Sequence, residues 1–445
     1  MLQRVKYVKP LFKRGEKYMY SAIELQKRLG IFHSKVSSLF KALLLLASCY
    51  KDLKTNAILP KKPLRPRPKG SPLKIAIVTE YYYPILGGIT EHVHHFAKEL
   101  LAKGHEVTII TPEAGPFGRD VGEIANHIIK LGRSVSIYSN DSFARISLGQ
   151  DLGSQLEKIL FEGQFDLVHV HSPLTPTLPL LAIYHSPVPV VGTFHTHFEE
   201  NLWLSMFKER LRPFMEAMAL RIAVSPICIA SMEKFLPGFS YVVVPNGIDT
   251  NWYSPEQKPI SRFTDDHFNI LYVGRFDPRN GLDILIEAFK ILAREKPNIR
   301  LIIMGFGPLE PTYRKMVPKE LTEKIIFVGK IDEERPAYYR SAHVLCFPAK
   351  KGSFGITLLE AMASGVPVVT TDIEGFRFVM EDGKHGLMVK PEHGAEGYAR
   401  ALKFLLENPE KRKEMAQKAR ERALEFSWDK VTADLLDHYY EILPS

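Results

Sequence analysis

The chain has 445 residues, a length that suits two or three domains. Its 45% hydrophobic and 24% charged residues exclude disorder along its length. The longest apolar run, 42–49, falls far short of the roughly 20 residues that span a bilayer. Cys49, Cys228 and Cys346 lie far apart, which excludes a disulfide framework or a cysteine zinc site and fits a reducing, cytoplasmic setting.

The net charge of +9 is concentrated at one end: residues 1–70 hold 17 Lys and Arg against 3 Asp and Glu, the remainder 42 against 47. A basic segment of this kind suits an anionic partner, nucleic acid or the inner face of a membrane, where the protein would sit peripherally. Within it, SAIELQKRLG (21–30) carries Ile23, Leu25 and Leu29 at helical spacing and ends on Gly30. After a short turn, Ser34 can cap a second helix with Val36, Leu39, Phe40, Leu43 and Leu44 on one face. Residues 1–60 therefore read as a small helical extension. It is either a helix-turn-helix, with His33, Lys35, Ser37, Ser38 and Lys41 toward a groove, or a hairpin packed on the main body. Leu46, Ala47, Ser48 and Cys49 look like a lipobox, but Lys41 interrupts a stretch already too short for a signal. The prolines of 61–72 make a stiff linker.

From residue 73 the pattern becomes α/β. KIAIVTE (74–80) is a strand and YYYPILGGI a loop. A helix then carries Ile89, Val93, Phe96, Ala97 and Leu100, and EVTIITP (106–112) is the next strand. That is a βαβ unit, which implies a parallel sheet. Gly87 and Gly88 directly precede the helix, where absent Cβ atoms and free N–H groups suit an anion. Further strands are expected at 166–172, 188–198, 222–226 and 241–249, and His195 falls at a strand end where such sheets bind ligands. No HExxH and no carboxylate partner at ligand spacing accompanies His92, His94, His95 and His197. They are expected on surface helices and loops, and no metal is expected. Leu202, Trp203, Phe207 and Leu211, interleaved with Lys208, Arg210 and Arg212, form either an interfacial helix or one packed on its own domain.

Residues 251–268 are polar and irregular, a linker to a second α/β series over 269–427. NILYVGRF, IRLIIMGFGP, IIFVGKI, HVLCFP and VPVVTTD are its strands; helices follow PRNG and begin at the glycine of SFGITLLEAMASG. Two doubly wound domains, 73–250 and 269–427, would face across a cleft, with an amphipathic C-terminal helix within 428–445.

PILGGITEHVHHFAKELLAKGHEVTIITP, GTFHTHF, VPNGID, VGRFDPRNGLDILIEAF and SFGITLLEAMASGVPVVTTDIEGFRFVMEDGKHGLMV resemble, in number, order and spacing, the retaining GT-B glycosyltransferases. The resemblance is nearest the phosphatidylinositol mannosyltransferase-like branch. It implies two Rossmann-like domains, a GDP- or UDP-linked sugar as substrate, no separate cofactor, and a lipid or glycan acceptor. It places Gly87 and Gly88 against the diphosphate, Arg275 on the departing phosphate, and His195 on the sugar side. Ser353, Phe354, Gly355 and Ile356 would open a helix toward the phosphates, and Glu360 would hold the ribose hydroxyls. In such enzymes the leaving phosphate takes the acceptor's proton, and the protein positions groups and stabilises charge.

The sequence departs from that pattern twice: Asn280 stands where the family has a lysine, and Gly352 where it has the first of two glutamates eight residues apart. Each loss removes a charged hydrogen bond, worth about 1.5–3 kcal/mol. Lys350, Lys351 and Arg279 are near enough in sequence to return part of the phosphate charge. Two functions follow: a hexosyltransferase with a degenerate donor site, or a non-catalytic sugar-nucleotide sensor that regulates DNA through residues 1–60. The sequence leaves the oligomeric state open.

Overall fold

The computed structural model describes residues 66–85, 87–117, 121–139 and 142–444. The helical extension 1–60, with its helix-turn-helix candidates, lies outside them.

Described residues before 250 build one eight-stranded sheet: β1 (Lys74–Val78), β2 (Glu106–Glu113), β3 (Ile128–Ser139), β4 (Ser142–Leu148), β5 (Leu167–His171), β6 (Val190–Phe194), β7 (Met218–Ala223) and β8 (Val242–Val243). The strand order is β4-β3-β2-β1-β5-β6-β7-β8. Its helices are α1 (Gly88–Ala102), α2 (Leu152–Glu162), α3 (Leu178–His185), α4 (Leu202–Ala217) and α5 (Pro226–Phe235). All pairings are parallel except the β3–β4 hairpin, an antiparallel edge absent from the sequence reading.

The second sheet holds β9 (Phe268–Val273), β10 (Ile299–Met304), β11 (Ile325–Gly329), β12 (Val344–Phe347), β13 (Val368–Thr371) and β14 (Gly386–Val389). They are wholly parallel in the order β11-β10-β9-β12-β13-β14. Its helices are α6 (Leu282–Glu295), α7 (Glu310–Lys315), α8 (Arg335–Arg340), α9 (Ile356–Ala363), α10 (Glu374–Arg377), α11 (Gly394–Glu407) and α12 (Pro409–Leu424). A last helix, α13 (Trp428–Ile442), follows.

Side chains alternate across a strand, so a parallel sheet needs cover on both faces. In β1, Ala76 and Val78 pack with Leu156 of α2 and Leu178 of α3. Ile75 and Ile77 point the other way, onto Val93 and Phe96 of α1 and onto Trp428, Leu435 and Tyr439 of α13. The chain thus crosses back at its end, and α13 completes the core of the first domain.

The segment before β1 is fastened to the same place. Arg67 Nε pairs with Asp166 at 2.7 Å, and the Ser71 carbonyl accepts from the Tyr440 hydroxyl at 2.6 Å. Residues 251–268 lie on the second domain, whose core buries Tyr253 and Phe263. Among the described residues no helix is long and apolar enough to cross a membrane. α4 packs on its own domain through Leu204 and Leu211, and Trp203 Nε1 donates to the Leu174 carbonyl at 3.0 Å.

Candidate functional site

Two helix N-termini meet between the domains. Gly87 precedes α1 and Gly355 precedes α9, and neither helix start has a side-chain cap. The first N–H groups of a helix lack intrahelical acceptors and carry partial positive charge. A Cβ on Gly88 would stand 3.0 Å from Ile356 Cδ1, so the glycine lets the two ends approach, while at Gly87 the same position opens into free space. Gly355 has φ +97°, a left-handed conformation that suits glycine. Gly88 and Ile356 are therefore brought together, with Gly87 and Gly355 directly before them in the chain.

The side chains of Ser353 and Phe354 are engaged by protein. Ser353 Oγ accepts from the His197 backbone N–H at 2.8 Å, and its carbonyl accepts from Ser225 Oγ at 2.5 Å, so it clamps the two domains. Phe354 is buried between Phe378 and Phe426.

The histidines correct the sequence reading. His92 and His94 are buried, not surface groups. His92 of α1, His171 of β5 and His195 beyond β6 bring ligand nitrogens within 4.8 Å of one another. That geometry is within reach of a metal, yet protein partners already engage all three rings. His92 Nδ1 meets Asn246 Oδ1 at 2.9 Å, and His171 Nδ1 meets His195 Nε2 at 2.8 Å. His169, also in β5, lies between Tyr439 and Thr193, each at 2.6 Å.

Burial pushes His92 down to about 4 and His169 to about 3, and takes His171 and His195 well below the ordinary histidine range. All four are neutral near pH 7. A neutral imidazole has one donor and one acceptor. Nε2 of both His92 and His171 is buried without a partner. A proton on Nδ1 in both rings gives each N–H an acceptor and leaves only lone pairs unmatched. His171 then donates to His195 Nε2, and His195 keeps Nδ1–H as its own donor.

On the second domain, Arg275 Nη2 pairs with Asp277 at 2.9 Å, with its side chain 36% exposed. It lies close enough to the first domain to act electrostatically on Tyr81, just after β1. Asn280 Nδ2 donates to the Arg275 carbonyl at 2.8 Å, so it braces the arginine's loop. The neighbouring lysines stand in surface ion pairs: Lys350 with Asp283 at 3.1 Å and Lys351 with Glu199 at 2.9 Å. At Gly352 the backbone is not left-handed, but a Cβ there would lie 2.3 Å from Phe376 Cε1.

Glu360 is only 2% exposed and both its oxygens have protein donors. Tyr253 OH reaches Oε1 at 3.2 Å; Arg335 Nη2 at 2.6 Å and Tyr339 OH at 2.5 Å reach Oε2. Burial raises its carboxyl above the ordinary range, against the lowering effect of Arg335. Tyr253, Tyr339 and Arg335 were not among the expected site residues. No periodicity links them to Glu360; only the fold does.

Residues 86–252 match the family model described as Glycosyltransferase Family 4, and residues 254–422 that of Glycosyl transferases group 1. The phosphatidyl-myo-inositol mannosyltransferase of Mycolicibacterium smegmatis is 34% identical over 370 residues, 82% of this chain and 93% of that protein. That of Mycobacterium leprae is 32% identical over 376 residues, covering 84% and 98%. Among solved structures, a glycosyltransferase from Rickettsia africae superposes with a TM-score of 0.66 at 18% identity, covering 83% of this chain and 98% of its own. Anabaena HepE in complex with UDP-glucose gives 0.63 at 20%, covering 83% and 100%.

Proposed function

We propose, for a chain that belongs to the GT-B glycosyltransferase family of the phosphatidyl-myo-inositol mannosyltransferases, the reaction of a retaining hexosyltransferase. The donor is a GDP- or UDP-linked hexose and the acceptor a lipid or glycan hydroxyl. The observation that carries this reading is the convergence of two uncapped helix N-termini where Gly88 meets Ile356. Helix dipoles and N–H groups without side-chain caps favour an anion such as a diphosphate there.

In this reading the acceptor oxygen bonds to the anomeric carbon as the bond from that carbon to the phosphate oxygen breaks. The acceptor's proton passes to the leaving phosphate. Arg275 and the N-termini of α1 and α9 take up the charge that grows there. His195, held as the Nδ1–H form by His171, donates to the sugar side. The loss of the lysine at Asn280 and of the glutamate at Gly352 weakens donor binding. A non-catalytic, DNA-binding sensor has no support among the described residues or the relatives.

Calorimetry with GDP and UDP tests the site, and transfer from a panel of GDP- and UDP-linked hexoses to phosphatidylinositol or soluble glycans tests the reaction. The expected result is micromolar to millimolar binding of one nucleotide, weakened about tenfold or more by Arg275→Ala, as for loss of a charged hydrogen bond. No binding of either nucleotide sinks the reading.

A further inference from the structure

The segment that leaves β6 carries His195 and, two residues on, His197. The backbone N–H of His197 donates to Ser353 Oγ at 2.8 Å, across the boundary between the domains. The first domain holds the same serine a second time, because its carbonyl accepts from Ser225 Oγ at 2.5 Å. Ser225 occupies the N-cap of α5, where a serine oxygen ordinarily accepts from the first N–H groups of its own helix. It makes no such cap here, and its hydroxyl donates to the other domain instead.

Both sides of this junction are firm. On the first domain, Ser231 Oγ of α5 meets His197 Nδ1 at 2.5 Å and accepts from the Phe198 N–H at 3.1 Å. Ser225 and Ser231 are both buried. On the second domain, the residue after Ser353 is Phe354, held between the rings of Phe378 and Phe426. The pair of Lys351 with Glu199 crosses the same boundary at 2.9 Å, but an ion pair this exposed contributes little. The two hydrogen bonds of Ser353 are the inner, desolvated part of the junction.

Their place in the chain matters. Two residues lead from Ser353 to Gly355, the N-cap of α9, and two lead from His197 back to His195. Two residues of chain reach at most about 7 Å. Through these short arms Ser353 fixes where the first N–H groups of α9 stand relative to His195 and to the domain that carries Gly87 and Gly88.

We propose that Ser353 is a positioning residue of the donor site: its bonds to the His197 N–H and the Ser225 hydroxyl hold the N-terminus of α9 in register with the N-terminus of α1 and with His195. It acts through those groups and needs no contact with the donor. The inference rests on the reading of the cleft as a nucleotide-diphosphate site.

The test uses the full chain, unaltered and as Ser353→Ala, Ser353→Thr and Ser225→Ala. Calorimetry with GDP and UDP gives affinity and stoichiometry, and hydrogen exchange by mass spectrometry follows the amides of 195–199. Ser353→Ala should speed exchange in that segment. It should also weaken diphosphate binding about two- to tenfold, the range of one neutral hydrogen bond, with the stoichiometry unchanged. Ser353→Thr keeps the Oγ acceptor and should restore most of the affinity, and Ser225→Ala should weaken binding in the same direction. Faster exchange with unaltered affinity would make the serine a structural tie only and overturns the proposal. So does a fall in stoichiometry at constant affinity, which reports lost folded protein. Weaker binding with unaltered exchange would mean that Ser353 touches the donor directly, and also overturns it. If Ser353→Ala does not fold, Ser225→Ala decides, and unaltered affinity there overturns the proposal. Absence of nucleotide binding by the unaltered protein brings down this inference together with the donor-site reading; binding that ignores residues 353 and 225 brings down this inference alone.

Discussion

Gly352 and Phe376 occupy one space. The ring of Phe376 is 1% exposed and stands where a side chain on residue 352 would begin, with Cε1 and Cζ at 2.3 and 2.6 Å from a built Cβ. The missing carboxylate is thus not a simple vacancy: an apolar ring has filled its room, and restoring the glutamate alone must displace that ring. Overpacking of this kind costs about 1–3 kcal/mol. Gly352→Glu should therefore destabilise the protein. Added to Phe376→Val, which shortens the obstacle, it should cost less than when made alone. The two should couple by more than about 1 kcal/mol in a double-mutant cycle read by urea unfolding. Strict additivity would show that the ring moves aside freely. The glycine itself was plain in the sequence; its partner, 24 residues on, was hidden because an isolated phenylalanine looks like any other core residue.

At the scale of elements, the βαβ beginning was legible because its physics is local. Apolar runs, a Gly-Gly loop and a helical stripe from Ile89 to Leu100 reappear as β1, α1 and β2. The β3–β4 hairpin was not legible: Gly132 and alternating serines dilute its apolar signal, and its edge position asks for little burial. The strand expected at 241–249 shrinks to two residues, since Pro245 has no N–H to donate to a ladder. Nor does periodicity reveal that α13 serves the other domain. There, the Tyr439 hydroxyl meets His169 Nδ1 across 270 residues of sequence, with both groups fully buried. Tyr439→Phe leaves the imidazole with an unmatched nitrogen, a penalty of about 1–3 kcal/mol. The variant should lose that much stability in urea unfolding and exchange amide protons faster in β5 and α1 than in the second sheet. Unchanged stability would mean that the hydroxyl is replaceable by packing alone.

The whole molecule is built to be acid-sensitive. His92, His169, His171 and His195 in the first domain and His343 in the second, pushed down to about 4, are all held neutral by burial. The unfolded chain takes up protons at these groups as pH falls below about 6.5, while the folded chain does not until its own lower values are reached. Each therefore contributes stability that is complete above about 6.5 and lost on acidification, with a slope of up to about 1.4 kcal/mol per pH unit. Glu80 opposes them. It is fully buried and receives hydrogen bonds from Thr177 Oγ1 at 2.5 Å and Ser147 Oγ at 2.7 Å, and burial raises it to about 7. Its folded form keeps a proton that the unfolded chain releases above about 4.5, so its contribution falls as pH rises toward 7. Between pH 4.5 and 6.5 these histidines, with His105 and His385 also lowered by burial, act against Glu80 and Glu360, both raised by burial, and the unfolded state binds more protons on balance. Stability should then climb steeply from pH 5 to 6.5 and level off above 7, once Glu80 has also ionised. Urea unfolding at half-unit intervals measures the slope directly. A stability flat or rising toward acid would show that water reaches the histidine cluster through the open cleft and that the rings titrate as they do in solution.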